Sequence, residues 1–423
     1  MQRERQWIIP VVAVVALIGI GLALYFLLSS YGRSQIRSAG ETAISTRTPS
    51  VPELLARAGS YLRQHQEADN ESAIELYQQA LRLEPENPVA LAGLSMALAQ
   101  HGGEREQAVA LARKALARDP RLGLAHHALG LAFDSRGQVS KALSAYLRAA
   151  ELEPDPTYAL ASAAHLLQVQ GHLADALEAN LRVLKDGGDS SDDLEAHIGT
   201  TLALLGFDHA AEVWFERAVE LRPDNGFAAG SYAQMRLSQG RLREADEIAS
   251  GAIQRGIRRP EPPAIRGTVA LMKGDDAKAE AFFKDALSID PQFRRARTRL
   301  LLLARRRTGG SNSALEQRYR NEVLDIRQDR TAGDERPDSV IDEMLLEAGF
   351  GHDDAALHAL DIAIALGYRD GDWLLLDPML AGLRASPEFK LRIETIRRLV
   401  GAERQRVPRA GGLPPALLDG SAL

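Results

Sequence analysis

The chain has 423 residues, of which 45% are hydrophobic, 26% charged and 5% aromatic, with a net charge of −6 and no cysteine. The missing thiols exclude disulfides, zinc–thiolate centres and iron–sulfur clusters. The mild negative balance argues against a general nucleic-acid binder, which needs a basic surface.

Residues 1–6 form a short polar N-terminal tail. Trp7 to Leu28, "WIIPVVAVVALIGIGLALYFLL", carries no charge and is long enough to span a bilayer core of about 30 Å as a helix. It exceeds the apolar core of about 7–15 residues of a cleaved signal peptide, so it reads as a single transmembrane helix. Pro10 falls in its first turn, and Trp7 and Tyr25 suit the interfaces. The short leader favours an N-terminus inside, which places the rest of the chain outside the cytoplasm, on the inner membrane. Gly19 and Ala23 make a small-xxx-small pair through which two such helices could pack as a homodimer. Residues 29–51, rich in Ser, Thr and Gly, read as a flexible tether.

The next stretch is periodic. In "AHHALGLAFDSRGQVSKALSAYLRAAELEP", Ala125 to Pro154, the residues His126, Leu129, Gly130 and Phe133 share one helix face. Gly137 can end that helix in a left-handed conformation. Ala142, Tyr146 and Ala149 mark one face of a second helix, and Pro154 stops it. Closing prolines recur at Pro85, Pro120, Pro154, Pro223 and Pro291, spaced by one or two periods of about 34 residues. Turn glycines keep the phase at Gly137, Gly171, Gly206, Gly240 and Gly274, each followed five residues later by an alanine, at Ala142, Ala176, Ala211, Ala245 and Ala279.

These residues resemble the tetratricopeptide repeat family, through "ALGLAF" with "KALSAYLRAAELEP", "HIGTTL" with "AAEVWFERAVELRP" and "IRGTVA" with "AEAFFKDALSIDP". The resemblance covers residues 52–307, about seven helix–turn–helix hairpins. It implies an all-α fold, a right-handed α-solenoid whose concave groove binds peptides or protein segments, with no catalysis and no cofactor. By the geometry of that family, the first-helix residues that line the groove are Met96, Gln100, His127, Leu131, Asp134, Tyr158, His165, Gln168, Thr200, Phe227, Gln234 and Thr268.

"FRRARTRLLLLARRR", ending at Arg307, reads as a helix that caps the last repeat. Its cations Arg294, Arg295, Arg297, Arg299, Arg305, Arg306 and Arg307 are also a candidate anion-binding patch. Residues 308–339 read as a broken, charged linker, and residues 340–400 as a degenerate hairpin turning near Gly351, followed by a helical end cap. Asp377 before Pro378 and Ser386 before Pro387 have the pattern of an N-cap followed by proline in the first helical turn. Trp373, Leu380, Leu383 and Phe389 would pack the cap onto the solenoid. Residues 401–423 read as a flexible tail.

Catalytic patterns such as GxxxxGK, GxSxG, HExxH and GxGxxG are missing from the sequence. The close histidine pairs are poorly spaced for a metal: His126 and His127 are adjacent on one helix, and His165 and His172 straddle a turn. The chain therefore reads as a membrane-anchored, non-enzymatic scaffold for protein or peptide partners, serving assembly of bacterial cell-envelope machinery. The second reading is a signalling adaptor on the cytoplasmic side.

Overall fold

The computed structural model describes residues 49–407 apart from 63–66, 103, 186–192 and 310–311. The chain divides into two compact units, Met1–Glu53 and Leu54–Leu423. Of the first, residues 49–53 are described, and there the Glu53 carboxylate accepts from the Ser50 backbone N–H at 2.7 Å and from its hydroxyl at 2.9 Å.

Among the described residues the regular structure is entirely helical, with 20 α-helices and two 3₁₀ turns. The first eighteen helices form nine successive pairs. These are α1 (Val51–Leu62) with α2 (Glu67–Leu83), α3 (Pro88–His101) with α4 (Arg105–Arg118), and α5 (Gly123–Asp134) with α6 (Val139–Leu152). Next come α7 (Thr157–Val169) with α8 (Leu173–Lys185), α9 (Leu194–Leu204) with α10 (Asp208–Leu221), and α11 (Gly226–Ser238) with α12 (Leu242–Gln254). The last three are α13 (Glu261–Met272) with α14 (Asp276–Ile289), α15 (Arg294–Thr308) with α16 (Ser313–Thr331), and α17 (Pro337–Phe350) with α18 (Asp353–Leu366). A C-terminal arm follows, made of α19 (Gly371–Leu376), the 3₁₀ turns Pro378–Leu380 and Leu383–Ala385, and α20 (Pro387–Arg406).

Local chemistry sets the hairpins. Gly137 lies at φ 69° and Gly171 at φ 73°, a region that glycine enters without steric cost. One residue later, the N–H of Gln138 donates to Phe133 O at 3.0 Å and that of His172 to Leu167 O at 2.9 Å. This bond ties the start of each turn back to the last full turn of the helix. The same turn recurs after α9, α11 and α13. Small residues let the paired helices approach: a Cβ on Gly130 would stand 2.6 Å from the Tyr146 ring, while Ala142 and Ala149 are fully buried. First helices stack on first helices, α3 on α5, α9 on α11, and α11 on α13.

The structure corrects the sequence reading at several points. The helical pairs number nine, not about seven. Residues 313–331, read as linker, form the 19-residue helix α16. Its charges obscure a helical stripe, because Leu315, Tyr319, Val323 and Ile326 are all buried. The arginine-rich helix α15 is therefore the first helix of an eighth pair rather than a terminal cap. The tail begins later than expected, since 401–406 continue α20 and residues 408–423 lie outside the described residues. So does the apolar stretch 7–28. Among the described residues no helix is long and apolar enough to cross a membrane, and the single-pass membrane placement is corrected accordingly.

The end of the chain is held as the sequence indicated. The Asp377 carboxylate accepts from Met379 N–H at 3.0 Å, and the Ser386 hydroxyl from Phe389 N–H at 3.1 Å. Trp373, Leu380, Leu383 and Phe389 are buried in one core cluster with Ala233, Val269 and Leu301 of the repeats. Through this core runs a buried ion pair: the two terminal nitrogens of Arg299 donate to the two oxygens of Asp377 at 2.8 and 2.5 Å, with side-chain exposures of 2% and 0%. Burial works against the Arg299 charge, but Asp377 outweighs it and holds the guanidinium pKa above its ordinary value. Removing one partner strands the other, at a cost of about 3–5 kcal/mol. In urea unfolding, Arg299→Met and Asp377→Asn should each lower stability on that scale, and the double variant should recover most of the loss. Strictly additive losses would contradict the pairing.

Candidate functional site

The first helices place a ladder of rings on the inner face. The His165 ring of α7 lies 5.0 Å from that of His197 on α9, which lies 4.6 Å from Phe227 on α11. His127 of α5 meets Tyr146 edge-on at 5.3 Å. The Nδ1 atoms of His165 and His197 are buried without a hydrogen-bond partner among the described residues. Burial pushes the pKa of His197 down to about 3 and that of His127 to about 4. It lowers that of His165 as well, against the opposing carboxylates of Asp134, Asp193 and Asp338. Asp134 is raised by burial, with His165 and Arg336 pulling the other way.

The predicted groove residues divide into distinct groups. Thr200, Phe227 and Gln234 line one cavity of about 940 Å³. His165 joins Phe227 through His197, while the Gln168 carbonyl accepts from the Thr201 hydroxyl at 2.9 Å. Tyr158 is exposed at 42%. Met96 packs on the cluster of Leu91, Ala112 and Ala125, and Gln100 and Leu131 are half-buried. Thr268 is not in a groove: it is buried, and its hydroxyl donates to Ala264 O at 2.9 Å.

The cavity owes its far wall to residues that the repeat pattern did not single out. Asp370, Leu376, Arg397 and Arg404 of the C-terminal region, with Arg369, face α9, α11 and α13 across it. Asp370 accepts from the Ser238 hydroxyl at 2.8 Å and from Trp373 N–H at 3.2 Å. Burial nonetheless raises its pKa to about 6. His197 was also missed. It sits about one helical turn earlier in its repeat than His165 does, so projecting the same position onto each repeat selects Thr200 instead.

The arginines of α15 do not present a free anion site. Arg294 pairs with Asp329 at 2.6 Å, Arg297 with Glu322 at 3.3 Å and Arg299 with Asp377. Arg305 pairs with Glu316 at 3.3 Å, Arg306 with Asp276 at 3.5 Å and Arg307 with Glu280 at 3.0 Å. Arg295 lies 3.8 Å from Asp338. The patch is neutralised by carboxylates of α14, α16 and the C-terminal region. Among the described residues no group of three or more His, Asp and Glu could hold a metal ion.

Comparison with known proteins agrees with this architecture. Residues 55–122 and 125–157 match models of the tetratricopeptide repeat. Those stretches carry tetratricopeptide repeats, and the described helical pairs have the all-α solenoid fold of such repeats. Superkiller complex protein 3 of Mus musculus is 34% identical over 104 residues, 25% of this chain and 7% of its own length. The small glutamine-rich tetratricopeptide repeat-containing protein 2 of Mycosarcoma maydis is 35% identical over 86 residues, 20% of this chain and 24% of its own. The chain thus spans less than a quarter of either relative. The structure of a human IFIT1 dimer with m7Gppp-AAAA has a TM-score of 0.52 at 18% identity, covering 78% of this chain and 75% of that one. At that identity the likeness is one of fold.

The buried histidines generate a pH dependence. An unfolded histidine takes up its proton near pH 6.5, whereas folded His197 does so only near 3. Below about pH 6.5 the unfolded state binds more protons, so stability falls as pH drops from there towards 3, by at most about 1.4 kcal/mol per pH unit for each histidine. His197→Phe keeps a ring between His165 and Phe227 and should flatten the decline, measured as melting temperature from pH 7 to 4. An unaltered slope would mean that His197 does not titrate as a buried group.

Proposed function

We propose that the protein is a tetratricopeptide-repeat scaffold that holds a segment of a protein partner between its first helices and its own C-terminal arm. The observation that carries this reading is the cavity of about 940 Å³, whose one wall is repeat and whose other wall is arm. Its size is at the upper end of sites that enclose a ligand. Apolar Leu204, Phe227, Leu376 and Val400 line it together with polar and charged side chains. Such a surface gains affinity from buried apolar side chains and orientation from polar ones. The role is binding, and no reaction step is assigned to the cavity.

Photocrosslinking tests the placement. Benzoyl-phenylalanine in place of Phe227 or Gln234 should give adducts of discrete mass in cells of the source organism. The same residue in place of Arg182 or Glu216, which are exposed on second helices, should give none. Adducts confined to those second-helix positions would place the partner on the other face and overturn the reading.

A further inference from the structure

The charges around the cavity do not all have partners. Taken in turn, Asp372 receives Arg397 at 2.7 Å, Glu261 receives Arg259 at 3.1 Å, Asp338 faces Arg295 at 3.8 Å, and Asp370 accepts from Ser238 and Trp373. Asp208 stands in the first turn of α10, where the aligned helix dipoles favour a negative charge. The cations left over are Arg369 and Arg404. One terminal nitrogen of Arg369 donates to the carbonyls of Ile364 and Tyr368 at 3.0 and 2.9 Å. Its Nε is buried with no acceptor among the described residues. The acid whose charge acts on it, Glu403, already accepts from Ala174 N–H and from Arg406. Burial lowers the Arg369 pKa, with Glu403 only partly opposing it. The Arg404 guanidinium stacks 4.3 Å from the centre of the Phe207 ring, and no carboxylate among the described residues forms an ion pair with it.

The two guanidinium groups lie over successive repeat turns. A Cβ on Gly171 would stand 2.5 Å from the Arg369 Cζ, and one on Gly206 would stand 3.2 Å from an Arg404 terminal nitrogen. Both arginines line the cavity, as do the apolar Leu204 and Phe227. A guanidinium without a counter-ion gains from a carboxylate, which it can hold in bidentate fashion, and the half-buried Arg369 gains more than the exposed Arg404. Resting on the scaffold reading above, we propose that Arg369 and Arg404 form a carboxylate subsite, so that the cavity selects a protein segment in which acidic side chains alternate with apolar ones. The acid meets the two arginines while the apolar neighbours pack on Leu204 and Phe227.

The test uses the full chain and fluorescein-labelled dodecapeptides of leucine alternating with aspartate, asparagine or lysine, followed by fluorescence anisotropy. The aspartate peptide should bind about tenfold or more tightly than the asparagine peptide, as a charge-assisted contact requires, and the lysine peptide more weakly than either. Arg404→Gln, at an exposed position, should remove most of the aspartate preference with the melting temperature unchanged. Arg369→Gln should do the same, with its fold checked by circular dichroism. Equal binding of the asparagine and aspartate peptides, or a preference that survives Arg404→Gln, would overturn the subsite. If the asparagine peptide still bound and Phe227→Glu abolished that binding, the scaffold reading would stand without the subsite. Binding of no peptide would overturn both.

Discussion

The C-terminal arm meets the repeats at a buried ion pair whose two charges each require the other. Arg299 projects from a first helix of the solenoid, and Asp377 caps the 3₁₀ turn that opens the last part of the arm. Both are out of solvent, with Trp373 against the guanidinium at 5.7 Å. Neither can leave water alone without a large desolvation penalty. Together they fix where the arm crosses the repeats, and the surrounding apolar side chains, Leu380, Phe389 and Ile393 among them, complete the same core. An isolated solenoid presents an open inner face; here part of that face becomes the wall of a cavity.

The last helices and the connections between them reach the turns of earlier repeats at points that match their spacing. Arg336, Arg369 and Arg404 lie against Gly137, Gly171 and Gly206. Glycine is thus needed at these turns twice over, for the left-handed backbone and for room. Beside them the Glu335 carboxylate accepts from Ser140 N–H at 2.6 Å and that of Glu403 from Ala174 N–H at 2.9 Å. These amides belong to the first turns of α6 and α8, where a helix supplies no acceptor of its own. The connection before α17 and the arm therefore each satisfy an orphan donor in a repeat some two hundred residues earlier, and Arg406 of the arm adds an ion pair with Asp175 at 2.5 Å.

Much of this was legible in the sequence because it is local. The glycine that ends a helix, the alanine five residues on and the closing proline act within one hairpin. Asp377 and Ser386 cap turns only a few residues away, so their roles could be read in advance. The ninth hairpin was visible through its turn at Gly351, whose φ is 85°. Helix α16 was hidden because its apolar stripe is thin and its many charges suggest a linker. Those charges have partners: Arg327 and Arg330 bind the buried carboxylates of Glu343 and Glu347 on α17. Of the cavity only the repeat side could be read, through Thr200, Phe227 and Gln234, because its far wall comes from residues more than a hundred positions distant from Phe227. The arginines of α15 misled for the same reason. Their carboxylates, Asp377 above all, are remote in sequence.

Backbone amide exchange at Ser140 and Ala174 tests the closure of the solenoid by its arm most directly. Amides in the first turn of an uncapped helix exchange almost as freely as in an unfolded chain, since they have no intrahelical acceptor. The account predicts that both are protected in the intact protein, that Glu403→Ala releases Ala174 alone, and that Glu335→Ala releases Ser140 alone. Free exchange of Ala174 in the unmodified chain would mean that the arm does not lie on the repeats, and with it the cavity would lose its second wall.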